Sequence, residues 1–527
     1  SAPFTAVKDS ECIILIGARP EQNHPVAASY FKQAVKNGTK LIILDPRKQS
    51  LSRYATHHLQ FNPGQDLALL NAMIFTIINE NLTNKEYIEN HTEGFKQLEK
   101  EIKKFNPVLM ENLCGIPKEI IREVARIYAK AKTSIIFWGM GISQHVHGTQ
   151  NAFSLINLAL ITGHLGKPGT GLHPLRGQNN VQGASDAGLI PMSYPDYNSV
   201  KIKTNNEKMQ KFWNSNLDLN EGKTVVEIIK GINAGEIKGL YVQGENPAMS
   251  DPDLIHTRKG LAKLDHLVVQ DIFMTETAWF ADVILPASAH AEKLGTYTNT
   301  NRQVQIGRNV VDPPKGVKQD WWIIQEIAKR IGLDWNYTSP KEIFDEMKLI
   351  MPSLNNISWE RLEKENYVTY PVRSQNIPGE DIIFYDGFPT SNNLAKIVPV
   401  DLINPNDELN SDFPLILSTG RLLEHWHTGT MTRRAIILND LEPDPIVFIN
   451  EIDSKFYNID LTREVTIETR RGKIKIKIRY DNDLLPGMLF LPFCFKEAAA
   501  NVLTNSELDP IGKIPELKYS AARIYQD

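Results

Sequence analysis

Short, unbroken apolar runs, each followed by a polar turn and a helical pattern, constrain this chain more than any other feature. Cys12–Gly17 (CIILIG), Lys40–Asp45 (KLIILD) and Thr133–Gly139 (TSIIFWG) are too short for helices and too continuously apolar for half-exposed strands. Runs of this kind read as parallel strands buried on both faces. Helical patterns lie between and after them. Val26–Lys36 is closed by Asn37-Gly38, Asp66–Asn79 has Asp66 near its start, Pro117–Lys130 has Pro117 at an early helical position, and Gln150–Thr162 is ended by Gly163. This alternation predicts a sheet with helices on both faces.

The pattern recurs. Gly239–Gly244 (GLYVQG) leads through ENPAMSDP into a helix, and His266–Asp271 (HLVVQD) and Asp282–Pro286 (DVILP) are further strands. IGARPEQNHP and QGENPAMSDP share one order: strand end, glycine, polar residues, proline, helix. Two similar α/β halves are one reading; the other is that any doubly wound sheet makes such turns. From about Pro340 to Asp407 the chain is rich in Asn, Pro and Ser, and reads as a less regular link. From Pro414 onward short strands take over: PLILSTG, PIVFIN, REVTIETRRGKIKIKIRY and GMLFLPF, with a hairpin about Arg471-Gly472. A chain of 527 residues exceeds one core. The expected architecture is α/β: two Rossmann-like doubly wound α/β domains at residues 1–178 and 179–340, the second with an insertion. An irregular linking region at 341–405 and a C-terminal β-barrel domain at 406–527 complete it.

Composition narrows the function. A formal net charge of -4 gives no reason to expect nucleic acid or an anionic membrane as partner. No apolar run is long enough to span a bilayer. Cys12, Cys114 and Cys494 are the three cysteines, far apart, with no CxxC pair, so these residues build neither a zinc ribbon nor a cysteine-bound Fe–S cluster. An odd, low count suits a reducing compartment, and a cytoplasmic location is expected. The chain opens on Ser1 with no signal-peptide pattern, which reads as a fragment or a processed product.

Several turns hold residues suited to chemistry. The first α/β unit lacks GxGxxG, so an NAD(P) site is not expected there. Gly17 still allows close backbone approach, Asp45 at a strand end can accept from ribose or guanine, and Arg47 can pair with phosphate. The plain alternative is a loop acid capping a turn. In Asn62–Asp66 (NPGQD), helix capping by Asp66, worth about 1 kcal/mol, outweighs a carboxylate reading a guanine edge. Gly163–Gly188 is crowded with glycines and side-chain amides, a long loop of the kind that is functional or disordered. Within it Arg176 precedes Gln178, Asn179, Asn180 and Gln182, a natural receptor for a small planar anion. Gly139–Gly148 (GMGISQHVHG) offers Gln144, His145 and His147 as donors. Thr419–Arg434 is dense in polar and basic groups, with His425 and His427 on one face if extended and Arg421, Arg433 and Arg434 suited to a diphosphate. Neither histidine pair has a third metal partner, and no metal ligand is assigned.

RGQNNVQGASDAG (Arg176–Gly188), WGMGISQHVHGTQN (Trp138–Asn151), TGHLGKPGTGLHPLRG (Thr162–Gly177) and GRLLEHWHTGTMTRR (Gly420–Arg434) resemble formate dehydrogenase catalytic subunits of the bis-molybdopterin-guanine-dinucleotide class, soluble NAD-linked members above all. Val268–Ala287, Glu292–Gln305 and Ala500–Ile524 add to the likeness, which covers essentially the whole chain. The resemblance implies Mo or W held by two pterin dinucleotides, with formate on Arg176 and CO2 as product. It implies electrons passed to Fe–S clusters and an acceptor such as NAD through subunits with Fe–S or flavin. Carried over position by position, the dinucleotide contacts are Gly17, Asn23, Asp45, Arg47, Gly64, Asp66, Met140, Gly141, Gln144, Gln178, Gly244, Asp271, Arg421, His427, Thr428 and Asn501, with His147 at the margin. In the family a Cys or selenocysteine followed by His ligates the metal, and none of the three cysteines here is followed by His. That pair and the cysteines of a 4Fe-4S cluster are expected before Ser1, so this chain alone is expected to be inactive. The alternatives are another molybdopterin oxidoreductase of nitrate reductase type, against which Arg176 and its amide string argue, and a non-catalytic pterin-dinucleotide carrier.

Overall fold

A computed structural model describes residues 1–526, which divide into two compact units. The first takes Ser1–Leu175, Met249–Ile255 and Ile382–Asp527; the second takes Arg176–Ala248 and His256–Asp381.

The first unit opens on a five-stranded, wholly parallel sheet. Its order is His57–Leu59, Lys40–Leu44, Cys12–Ile16, Ser134–Trp138, Gly171–Pro174. All five residues of Cys12–Ile16 are buried, as its unbroken apolar run requires. Alternate residues serve opposite layers. Cys12, Ile14 and Ile16 pack with helices Asp66–Asn79, Lys118–Lys130 and Gly148–Thr162, while Ile13 and Leu15 pack with helix Pro25–Lys36 through Ala27, Ala28 and Phe31. The helices stand close to their expected bounds. Pro117 lies just outside its helix as N-cap, and Gly163 ends the last one at φ 67.

The C-terminal part of this unit is a closed six-stranded barrel in the order Leu415–Gly420, Met488–Pro492, Ile446–Ile449, Lys473–Tyr480, Val465–Thr469, Ser520–Tyr525. Closure leaves no sheet edge open to another chain. The hairpin about Arg471-Gly472 pairs Val465–Thr469 antiparallel with Lys473–Tyr480. Arg470 and Arg471 at its turn both reach the buried carboxylate of Asp407, at 2.5 and 2.6 Å, and Ala521 N donates to the same group at 2.9 Å.

The second unit holds a three-stranded parallel sheet, Gly239–Gln243, His266–Asp271 and Val283–Pro286, with the middle strand central. A three-stranded antiparallel sheet, Gly295–Thr298, Gln303–Gly307 and Tyr367–Thr369, accompanies it. The stretch after Pro340 is more ordered at its start than its composition suggests. Helices Pro340–Ile350 and Trp359–Glu365 bury Phe344, Ile350, Trp359 and Leu362, and with the partly buried Met347 the steps 344–347–350 and 359–362 are the three-residue steps of a helical face. Gly163–Gly188 is likewise no open loop: it contains strand Gly171–Pro174 and helix Val181–Asp186. Among the described residues no helix is long and apolar enough to cross a membrane.

Candidate cofactor and substrate site

In the first unit, strands Cys12–Ile16 and Ser134–Trp138 are neighbours, yet the sheet grows outward from them in opposite directions. The crevice beyond such a pair is where open α/β sheets bind ligands. Gly17 leaves the first strand at φ 57, and its N–H donates to Leu44 O at 3.0 Å. A Cβ on Gly17 would stand 2.9 Å from Gly141 C and Ile142 N, so these glycines let two turns touch backbone to backbone. Met140 starts the short helix Met140–Ser143 and is exposed, and Gln144 ends that helix.

Charge collects at the same end of the sheet. Asp45 is buried, and burial pushes its carboxyl up to about 6 against the N–H of Arg47, which donates to it at 2.9 Å, and the pull of Arg19 and Arg47. Arg47 is committed to the barrel: its Nε reaches Asp481 at 2.8 Å and its guanidinium lies over the rings of Phe490 and Phe448 at 4.2 and 5.3 Å. Lys518 donates to Thr419 O at 2.6 Å. Burial drives its ammonium down to about 8, with Arg421 adding to the fall and Asp45 opposing it. Arg421 lies over Trp426 at 4.5 Å and meets His427 Nε2 at 2.9 Å. Burial, then Arg421, depresses His427 to about 4. Arg19, whose buried Nε has no hydrogen-bond partner, joins Arg47 and Lys518 as the third cation in the field of Asp45, and Arg421 adds its charge beside Lys518. Such an excess of positive charge suits a diphosphate. Arg19 and Lys518 escape the sequence reading. Arg19 does follow the strand-end glycine closely, but no spacing relates Lys518 to the first sheet.

The other first-unit positions are mixed. Asn23 Oδ1 lies 2.6 Å from His24 Nδ1, Gly64 sits in the turn before helix Asp66–Asn79, and Thr428 pairs with Thr430 at 3.1 Å. Asn501 uses its amide on Met249 O and Ser250 O at 3.1 and 2.7 Å. Asp66 is the first residue of its helix and does not cap it; its side chain is buried, with Oδ2 3.6 Å from His147 Nε2. His425 is not on a shared extended face with His427: it meets Glu442 O at 2.8 Å, and His427 turns at φ 50.

The second unit repeats the strand-end arrangement. Gly244 leaves its strand at φ 63 with its N–H on Gln270 O at 2.8 Å, and the next residue of that neighbouring strand is Asp271. Gly17, Leu44 and Asp45 stand in the same relation. Asp271 Oδ1 accepts from Ile272 N at 2.6 Å, as Asp45 Oδ1 accepts from Arg47 N. In the same unit Arg176 is half-buried and Gln178 exposed at the head of the amide string. Downstream, Asp186 accepts from Gln182 and Tyr370, each at 2.6 Å, and Asn180 Oδ1 from Thr298 N at 2.9 Å. Tyr197 lies near Asp186 and within the field of Arg176, its phenol pushed up to about 12, first by burial. The string that begins at Arg176 is therefore held, not floppy.

The three cysteines are buried, and burial pushes the thiols of Cys12 and Cys494 up to about 12, the behaviour of packing residues rather than thiolate ligands.

Residues 1–330 match the family model described as molybdopterin oxidoreductase, and residues 415–521 match the molydopterin dinucleotide binding domain. The chain belongs to the molybdopterin oxidoreductase family. It is 43% identical over 517 residues to the F420-dependent formate dehydrogenase subunit alpha of Methanocaldococcus jannaschii, covering 98% of this chain and 76% of that one. It is 36% identical over 528 residues to formate dehydrogenase H of Escherichia coli, covering 99% and 74%. Acetylene hydratase from Pelobacter acetylenicus shares the fold, with a TM-score of 0.80 at 20% identity over 99% of this chain and 81% of that one. The family's cofactor is bis-molybdopterin guanine dinucleotide with Mo or W. The residues present fit its dinucleotides: each α/β unit offers a glycine–aspartate strand end, and the first adds half-buried cations, one with an open donor.

Proposed function

We propose that this chain is the greater part of a formate dehydrogenase catalytic subunit, oxidising formate to CO2 and passing two electrons onward. The observation that carries this reading is the Arg176–Asp186 string, a guanidinium at the head of an ordered amide-bearing segment, in a chain whose formate dehydrogenase relatives match over nearly its full length. The two strand ends, Gly17–Asp45 and Gly244–Asp271, would each take one dinucleotide. Asp45 and Asp271 would accept from ribose or base, and Arg19, Arg421 and Lys518 would neutralise a diphosphate. Asn23, Gly64, Met140, Gly141, Gln144, Gln178, His427, Thr428 and Asn501 would line the same paths. Arg47 acts there from behind, since Asp481 and two rings already hold it. Bound, the cofactor supplies the two-electron redox chemistry. Arg176 holds the formate carboxylate by two parallel N–H bonds and turns its C–H outward.

Electrons would leave through a 4Fe-4S cluster and subunits with Fe–S or flavin toward an acceptor such as NAD, in the cytoplasm. The metal's protein ligand would come from outside these residues, since none of the buried cysteines suits the role.

In the full-length enzyme, Arg176→Lys replaces a planar fork by a point charge. Formate turnover is expected to fall by on the order of 100-fold, the cost of a misplaced substrate, with metal and pterin content unchanged. Unaltered turnover would remove Arg176 from the substrate site.

A further inference from the structure

The turn that follows the strand end at Gly139 is gripped from behind by the C-terminal segment. Lys518 N donates to Gln144 O at 3.3 Å, and Val146 N to Glu516 Oε1 at 3.3 Å. Thr149 N and Oγ1 donate to the two oxygens of Asp509 at 2.8 Å each. Three successive points of residues 144–149 are thus tied to residues 509–518.

Between these ties lies a cluster that packing alone does not explain. His145 and His147 stack at 5.0 Å with an interplanar angle of 16°. His145 Nδ1 faces Glu516 at 3.7 Å, and His147 Nε2 faces Asp66 at 3.6 Å. All four side chains are at most 5% exposed, and His145 Nδ1, both ring nitrogens of His147, Asp66 Oδ2 and Glu516 Oε2 lack a hydrogen-bond partner in the protein. Two acids and two imidazoles with so little exposure are not open to a dinucleotide, so Asp66 and His147 do not touch one in this conformation. Such groups are costly to bury, and apolar side chains of similar volume would stabilise the fold at least as well. What such acid–imidazole pairs add is a fixed partner for each side chain.

We propose that Asp66, His145, His147 and Glu516 are positioning residues: a buried two-acid, two-imidazole tetrad that sets the Met140–Gln144 turn against its dinucleotide. His147 anchors the turn to the start of helix Asp66–Asn79, and His145 anchors it to the C-terminal segment through Glu516. The tetrad rests on the reading that Met140, Gly141 and Gln144 contact the cofactor, and it moves Asp66 from contact to support.

The test is the rate at which the holoenzyme releases pterin dinucleotide on dilution, read as pterin fluorescence in a filtrate. Gln144→Ala reports on the underlying reading, and His147→Gln and Glu516→Gln report on the tetrad. The double variant His145→Phe with Glu516→Leu removes one acid–imidazole pair whole, losing with it the Val146 N–H bond to Glu516, and its melting curve reports whether it is folded. Release is expected to rise about 10- to 100-fold in every tetrad variant, the usual effect of removing a group that orients a ligand from behind, while cooperative melting of the apo-protein persists. Fast release from Gln144→Ala with wild-type release from the tetrad variants would overturn the positioning role. Wild-type release from Gln144→Ala would overturn the reading of the turn, and the tetrad with it.

Discussion

Replacing Lys518 by Met should stabilise the apo-protein while weakening its hold on the cofactor. The Lys518 ammonium is driven from 10.5 to about 8, chiefly by burial. That difference corresponds to about 3 kcal/mol of destabilisation when the group is charged. Met fills similar volume without charge, but leaves Thr419 O without the donor that Lys518 supplies at 2.6 Å, a loss of about 1 kcal/mol. The net expectation is a gain of about 2 kcal/mol at pH 7. The sign with pH follows from proton counts. Between about 8 and 10.5 the unfolded chain binds more protons than the folded one, so wild-type stability rises with pH through that window. The advantage of the Met variant is therefore full below pH 8, falls to nothing near pH 10, and gives way above pH 10.5 to an advantage of about 1 kcal/mol for wild type, the bond to Thr419 O. Melting of both apo-proteins at pH 7 and pH 10 checks this, and pterin retention in the holo form should move the opposite way. A Met variant less stable than wild type at pH 7, or a difference that does not change with pH, would refute the argument that Lys518 is kept at a cost for an anion.

The remaining predictions concern the same unit. Asp45 has its folded value raised to about 6 from 3.8, so its cost appears as pH rises from about 4 to 6; Asp45→Asn should gain melting stability over wild type above pH 6 and not below pH 4. Gly17→Ala places a methyl 2.9 Å from the Gly141 backbone at a positive φ, and should cost on the order of 2–3 kcal/mol and release cofactor, read by melting and pterin content. Asp407→Asn leaves Arg470 and Arg471 against a neutral group and should lower stability by about 3 kcal/mol in denaturant titration, with no change in substrate affinity.

Much of this arrangement is legible in the residues. Cys12–Ile16 and Lys40–Leu44 are apolar without break because both faces are covered, and the C-terminal strands announce themselves by alternation and by Arg471-Gly472. The likeness between IGARPEQNHP and QGENPAMSDP extends to hydrogen bonds: Gly17 N to Leu44 O, Gly244 N to Gln270 O. What the residues hide is long-range charge. Lys518, Asp45 and Arg421 come from separate elements, and no local pattern brings them together. Asp66 reads as a helix cap because a carboxylate at a helix start usually is one, yet its partner is His147. Helix Pro340–Ile350 is obscured by the Asn and Pro residues around it, although Phe344, Met347 and Ile350 follow one another at three-residue steps.

The most direct test of the central claim is formate-dependent reduction of an artificial dye by the full-length protein, purified without oxygen, with metal, pterin and guanine nucleotide assayed on the same sample. Formate turnover together with Mo or W and two guanine dinucleotides per metal is the predicted result. A protein that carries the metal and both dinucleotides yet reduces no dye with formate, and turns over nitrate instead, would contradict it.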